Sequence, residues 1–300
     1  MSQEQRTRLT DPFESGRGEA RISELLGAGL WKHLTDEFKS FALEAMSQCR
    51  SLVGENVVQA SGLEVSISLT LSDLWQIYLP LALNCLDISD PGRRLIGIIG
   101  PSGGGKTVFA EVLCKVINQI AAGNPAVTLG MDGYHFPNEY LDTQTTADGD
   151  PLRLHKGKPC SFDVERFISA IQELRTEDNL SLPEYDRGLH EPVEDRIKLT
   201  EAHKVILIEG NFLLHDEGGW ERIRPLLNCS VYLDVDTAIC RERLKARHLR
   251  GGRSEADTDA HIRRVDEPNH ILVGKGLPLA DLVLKQEGIN VEWRVRGTLQ

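Results

Sequence analysis

No stretch of about 18 consecutive apolar residues occurs in this 300-residue chain, so the sequence offers no membrane-spanning helix. The first residues, MSQEQRTRLTDPFESGRGEAR, are polar and lack the apolar core of a secretory signal. No C-x-x-C pair exists either. The six cysteines (Cys49, Cys85, Cys114, Cys160, Cys229, Cys240) are scattered, which suggests neither a zinc site nor a disulfide framework and favours a reducing compartment. Together these absences point to the cytoplasm. Positive charge is in deficit: 34 Lys and Arg against 45 Asp and Glu give a net charge of −11. Binding a phosphate backbone needs a positive surface, so nucleic acid is not the expected partner. One local basic cluster would still suffice for a small anionic ligand. No internal repeat is visible.

The chain does contain enough apolar residues, 40%, for a sizeable core, and its length fits one large α/β domain or two small ones. Residues 1–20 read as a loose polar tail. From Ile22 to about Val53, apolar residues at three- and four-residue spacing predict one or two amphipathic helices. Val57–Leu69 has strand character. A helix over Leu71–Leu86 follows, with Thr70 or Ser72 as N-cap and a break or kink at Pro80. Asp90-Pro91-Gly92 then punctuates the chain. Beyond Arg94 the pattern alternates. Strands are expected at Leu95–Ile99, Ala126–Met131, Val205–Ile208 and Val231–Val235, and helices at Lys106–Ala121, Phe162–Arg175 and from about Thr237. Asp281–Lys285 and Val291–Arg296 read as two closing strands around Gly288. Apolar strands separated by helices imply a mostly parallel sheet covered on both faces.

Gly100-Pro101-Ser102-Gly103-Gly104-Gly105-Lys106-Thr107 matches G-x-x-x-x-G-K-[ST] in full, between an apolar strand and a helical pattern. The glycines let the backbone fold tightly, so that successive N–H groups point at one phosphate chain. The helix that starts there adds the positive end of its dipole. Gly100, Ser102, Gly103, Gly104, Gly105, Lys106 and Thr107 are therefore candidate ATP-binding residues, with Lys106 on the β- and γ-phosphates and the Thr107 hydroxyl on Mg²⁺. The expected fold is a three-layer α/β/α P-loop NTPase. Residues 1–55 would form a tail and helical extension, and 56–300 the P-loop domain.

Three further features separate a kinase from other P-loop proteins. The second strand, expected as the parallel neighbour of the P-loop strand, runs out into Met131-Asp132-Gly133-Tyr134-His135, where a carboxylate beside the phosphate site can accept the proton of an attacking hydroxyl, so Asp132 is a candidate catalytic residue. The strand Val205–Ile208 ends in Glu209, a candidate metal ligand opposite Thr107. Residues 241–253 hold six Lys and Arg against one acid inside an acidic chain. Arg243, Arg247 and Arg250 share one helical stripe there. A basic helix followed by the Gly251-Gly252 break reads as a lid that neutralises developing charge, with Arg247 as a catalytic candidate and Arg243 and Arg250 as ATP-binding candidates. No Asn-Lys-x-Asp element is present to read guanine, which argues against a GTPase switch, and nothing suggests the large partner surface of a motor.

The acceptor would be read by two polar loops, Leu154–Asp163 and Pro183–Val193, with Tyr134, His135, Lys156, Tyr185, Arg187 and His190 as candidates. Met131-Asp132-Gly133-Tyr134-His135, Lys156-Gly157-Lys158-Pro159, Tyr185-Asp186-Arg187, Glu209-Gly210-Asn211 and Asp266-Glu267-Pro268-Asn269 resemble the superfamily of uridine kinase, phosphoribulokinase and bacterial pantothenate kinase. Within it, a branch described as fructose-transport-system kinases looks most similar. The resemblance covers most of residues 57–297. It implies an ATP-dependent kinase that uses Mg²⁺ and phosphorylates a hydroxyl of a small metabolite, a sugar or a nucleoside- or pantothenate-like compound. It also implies that Asp132 activates the acceptor, that 241–253 is the lid, and that Asn269 and the strand at 281–285 border the adenine. The first 55 residues have no counterpart in these families. A homodimer is compatible with the sequence. The competing class is an ATP-binding regulator without phosphoryl transfer.

Overall fold

The structure, a computed structural model, describes residues 30, 41–60, 63–86, 92–286 and 293–297. Its centre is a six-stranded sheet in the order β10-β9-β8-β3-β7-β4. The strands are β3 (Arg94–Ile99), β4 (Ala126–Gly130), β7 (Val205–Gly210), β8 (Cys229–Asp234), β9 (Leu282–Gln286) and β10 (Trp293–Gly297). The first five run parallel, and β10 closes the edge antiparallel to β9. Gly288, between the last two strands, lies outside the described residues.

The near-continuous apolar runs in β3, β7 and β8 follow from burial on both faces, since alternate side chains of a strand point to opposite sides. Ile96 and Ile98 of β3, with Val205 and Leu207 of β7, join one apolar cluster; Leu95 and Ile99, with Ile206 and Ile208, join the other. On the first face lies α3 (Lys106–Ile120), burying Phe109, Leu113, Val116 and Ile117. With it pack α1 (Ala42–Cys49) and α2 (Leu79–Cys85). On the second face lies α5 (Val164–Thr176), burying Phe167, Ile168, Ile171 and Leu174. Helix–sheet–helix layering is the α/β P-loop NTPase arrangement.

The described part of the N-terminal extension shares the first cluster: Leu30, Ala42, Ala45, Met46 and Cys49 are buried with α3. Most of the helical region expected between Ile22 and Val53 lies outside the described residues, as does Asp90-Pro91. The strand expected over Val57–Leu69 is a hairpin, β1 (Gly54–Ala60) against β2 (Leu63–Leu69). Thr70 is the N-cap of the next turn, Leu71–Asp73, in a capping box with Asp73. The expected break near Pro80 is a π-turn over Leu74–Tyr78, in which the Leu79 N–H reaches back to the Leu74 carbonyl. Pro80 has no N–H to give to an i−4 carbonyl, and a widened turn just before it accommodates that loss.

Two expectations need correction. Pro183–Val193 is no irregular loop but the outer half of a hairpin, β5 (Leu180–Asp186) and β6 (Glu191–Leu199). The register shifts between Leu182 and Glu184, around Pro183, which cannot donate to the ladder. The second correction concerns sheet order. β7 lies between β3 and β4, so the immediate neighbour of the P-loop strand carries Glu209, while Asp132 follows the strand beyond it.

A single buried arginine, Arg93, fixes the base of this hairpin. Its guanidinium donates to the carbonyls of Leu174 and Glu177 at the end of α5, of Asp178 before β5, and of Thr200 and His203 after β6. The planar fork of five N–H groups suits such a cluster of carbonyls.

Candidate active site

The Gly100–Thr107 turn connects β3 to α3, with Gly103 and Gly105 at φ of 78° and 87°. Gly103 is required twice over. Its backbone is left-handed, and a Cβ there would stand 2.6 Å from the Cys240 carbonyl oxygen and 3.1 Å from Leu244 Cγ. Those neighbours belong to α6 (Thr237–Arg250), capped by Asp236 accepting from the Ala238 N–H. The basic helix is therefore docked directly on the phosphate turn.

Three sequence-distant elements meet at this turn. The Lys106 ammonium is buried and donates to the Pro101 carbonyl at 3.0 Å and to Asn211 Oδ1 at 2.5 Å. Asn211 Nδ2 in turn donates to Ser102 Oγ at 3.0 Å, so one amide bridges the lysine and the loop. The Thr107 hydroxyl donates to Glu209 Oε1 at 2.9 Å. Burial pushes the Lys106 pKa down against the pull of Glu209 and Asp132. Burial likewise pushes Glu209 up, with Lys106 opposing. Two oxygen donors, one a carboxylate held in a buried site, fit a hard divalent cation.

Asp132 sits in the 3₁₀ turn Met131–Tyr134 after β4. Burial alone would raise its pKa, yet His135, Arg187, Lys106 and Arg247 together hold it below the ordinary value. It is therefore a carboxylate at neutral pH. Arg187 Nη2 lies 3.4 Å from Asp132 Oδ2. His135 is buried, and burial pushes its pKa down against the pull of Asp132; its Nδ1–H donates to the Asp132 carbonyl at 2.9 Å, and its ring packs on Phe162 with centroids 3.8 Å apart.

Beside these groups stand Tyr185, with its ring 5.2 Å from that of His135, and Lys156, whose ammonium lies 5.2 Å from the Tyr185 centroid. Lys156 donates to Asn138 Oδ1 at 2.6 Å and to the His190 carbonyl at 2.7 Å. Burial lowers its pKa to about 8. His190 itself occupies the exposed tip of the hairpin with φ 55°, and its backbone, not its ring, makes that contact. Tyr134 faces away. Its ring is fully buried against Phe167, with centroids 4.6 Å apart, so this candidate is part of the core under the site.

The basic helix divides similarly. Arg243 donates to the Gly103 carbonyl at 3.3 Å and to Gln286 Oε1 at 3.4 Å, tying the loop to the end of β9. Arg247 interacts electrostatically with Asp132, Glu209 and Arg187 and belongs to the same charge cluster. Arg250 does not. It is exposed and donates to the Ala246 carbonyl of its own helix. Gly251 and Gly252 then form a turn into α7 (Glu255–His261). Asn269, in α8 (Glu267–Gly274), donates to the Gly157 carbonyl at 2.7 Å, which ties it to the Leu154–Asp163 segment. The sequence reading gave Asn211 no role; its position two residues after Glu209, at the end of a strand beside the P-loop, was the available signal.

A profile of the Phosphoribulokinase / Uridine kinase family matches residues 95–287. The match begins at β3, so β1, β2 and α2 fall outside it. The chain is 32% identical over 216 residues to the uncharacterized protein YggC of Escherichia coli (strain K12), covering 70% of this chain and 86% of that protein. It is 26% identical over 198 residues to a uridine kinase of Listeria welshimeri, covering 65% and 88%. Among solved structures, one from Silicibacter sp. TM1040, provisionally designated a fructose transport system kinase, aligns with a TM-score of 0.58 and 29% identity, covering 65% of this chain and 92% of that one. With a P-loop, a neighbouring buried acid and an ionised aspartate assembled on this fold, the chain belongs to the phosphoribulokinase/uridine kinase family and is a small-molecule P-loop kinase.

Proposed function

We propose that the chain transfers the γ-phosphoryl group of ATP to a hydroxyl of a sugar or of a nucleoside- or pantothenate-like metabolite. The observation that carries this reading is the convergence of Lys106, Thr107, Glu209 and Asp132 from three strands on one charged cluster. Thr107 and Glu209 would hold Mg²⁺, which would supply positive charge to offset that of the triphosphate. Lys106 and Arg247 offset the charge that spreads over the transferring oxygens. Asp132 orients the acceptor hydroxyl and takes its proton late, as suits a carboxylate kept weakly basic by its cationic neighbours. Arg187 and His135 fix that carboxylate in place. Lys156 and Tyr185 offer a charge and an aromatic face to the rest of the acceptor. Fructose and uridine, the compounds in the names of two relatives, both carry sugar hydroxyls, which favours an acceptor of that kind.

Residues 56–300 would act as the kinase domain, with 241–253 as its lid and 1–55 as an extension, of which Leu30, Ala42, Ala45, Met46 and Cys49 share the apolar cluster of α3. The scattered free cysteines support a cytoplasmic setting. Among the described residues, no helix is long and apolar enough to cross a membrane. The test is acceptor-dependent ADP production by the purified chain with a panel of sugars, nucleosides, pantothenate and glycerate. Turnover of a sugar or nucleoside above the acceptor-free rate is the expected result. Faster turnover with pantothenate than with any sugar overturns the sugar preference, and ATP binding with no turnover across a broad panel overturns the transfer reading.

A further inference from the structure

Three ligand-type side chains meet where the basic helix ends, outside the set of groups assigned above. His248 Nε2 stands 3.2 Å, and His261 Nε2 4.0 Å, from one oxygen, Oδ2 of Asp266. One donor atom from each residue lies within 4.8 Å of the other two. Asp266 is buried, at 7% exposure, and the two imidazoles meet edge to face with centroids 5.0 Å apart. The backbone departs from regular helix to bring them together. Residues five apart in an α-helix point about 140° away from each other, at about 100° per residue. The π-turn Ile262–Asp266, in which the Glu267 N–H bonds back to the Ile262 carbonyl, widens that turn and brings Asp266 round towards His261. Such isolated π-turns concentrate at functional sites.

We propose that His248, His261 and Asp266 bind a zinc-class divalent ion that clamps the end of α6 to the α7–α8 segment. The ligand chemistry separates this site from the one at Thr107 and Glu209. Two imidazoles and a carboxylate suit zinc or cobalt, whereas an all-oxygen set suits Mg²⁺. Ligands at roughly 2.0–2.2 Å around a tetrahedral ion stand about 3.3–3.6 Å apart, so the closer pair is near the required spacing and His261 has to move inward to complete it. Three protein ligands leave the fourth position to water. Arg253 and Arg264 act on His261, and Arg247 on Asp266, and their charge opposes a dication. Affinity is accordingly weaker than that of a thiolate site. His248 directly follows Arg247, so an ion at this clamp fixes the helical turn that presents Arg247 to Asp132. The scattered cysteines gave no hint of it, because none of its ligands is a thiol.

The test is a titration of the metal-stripped full chain with Co²⁺ and Zn²⁺ in the absence of nucleotide. One equivalent of Co²⁺ should give the visible absorption of a four-coordinate centre, and Zn²⁺ should displace it and raise Tm by mass action. His248→Gln and His261→Gln should each abolish the cobalt spectrum and weaken Zn²⁺ by at least about tenfold while leaving Mg–ATP binding unchanged. Glu209→Gln should keep the spectrum. Should one His variant fail to fold, the other carries the same readout. A cobalt spectrum that survives both His variants, or that is lost in Glu209→Gln, overturns the proposal; so does the absence of stoichiometric Zn²⁺ binding below millimolar concentration.

Discussion

In the proposed site, eight consecutive residues, Gly100–Thr107, would build the phosphate end, whereas the acceptor end would draw Asp132 and His135, Lys156, and Tyr185 and Arg187 from three separated segments. At the phosphate end the working groups are backbone N–H donors and buried side chains whose positions glycine and helix geometry dictate. At the acceptor end they would be side chains on a turn, a loop and a hairpin, half-buried apart from His135 and held by contacts such as Lys156 with Asn138 and Arg187 with Asp132. The first construction tolerates little change, and the second can be re-tailored residue by residue. On the proposed assignment, that contrast would let one scaffold serve different acceptors.

Substitutions can break or sharpen the contrast. Asp132→Asn, at the junction, should cut turnover by roughly 10²–10⁴-fold while ATP affinity stays within a small factor, because the amide keeps the shape but loses the base. Near-normal turnover in steady-state assays would remove Asp132 from its role. Gly103→Val should weaken ATP binding and lower stability by roughly 1–3 kcal/mol, since it places a branched side chain at φ 78° against the Cys240 carbonyl. A thermal melt with and without Mg–ATP measures both effects.

On the acceptor side the expected effect is smaller and pH-dependent. Burial holds Lys156 at about 8, so its ammonium is present below that pH and lost above it. The acceptor KM should be flat below pH 8 and rise above it, with the ATP KM unmoved. Lys156→Arg, which stays charged, should abolish the rise. Lys156→Gln should raise the acceptor KM at pH 7 by about tenfold, near the lower bound for a charged hydrogen bond. The smallest effect belongs to Arg250→Gln, expected to change kcat/KM by less than about twofold, as is usual for an exposed substitution away from a site. A loss comparable to that in Arg247→Gln would mean that the helix moves Arg250 into the cluster.

The same contrast governs what could be read from the sequence. The strands around Ile98, Leu207 and Val231 were legible because burial on both faces leaves continuous apolar runs. The P-loop was legible because its chemistry is contiguous. The β5–β6 hairpin was not: Pro183 interrupts the first strand, and the exposed run Glu194, Asp195 and Arg196 breaks the alternation of the second. Strand order is a long-range property, so the insertion of β7 between β3 and β4 had no local signature. Tyr134 and His135 are adjacent and equally polar at their tips, yet one turns into the core and the other towards the site. The stripe of Arg243, Arg247 and Arg250 was real, but seven residues of helix carry Arg250 about 10 Å along the axis from Arg243, beyond the charges that the other two meet.

Arg93 ties both ends of the acceptor hairpin to the start of the strand that leads into the phosphate turn. Its five-way bond acts as the heel of a lever whose far arm carries Tyr185 and Arg187. A strand of six residues spans roughly 20 Å, so a small tilt at that heel is magnified at the tip. Arg93→Lys would keep the charge but abandon most of those carbonyls, letting the arm drift sideways over Asp132. In the proposed kinase, acceptor choice would then loosen from a position outside the charged cluster around Asp132.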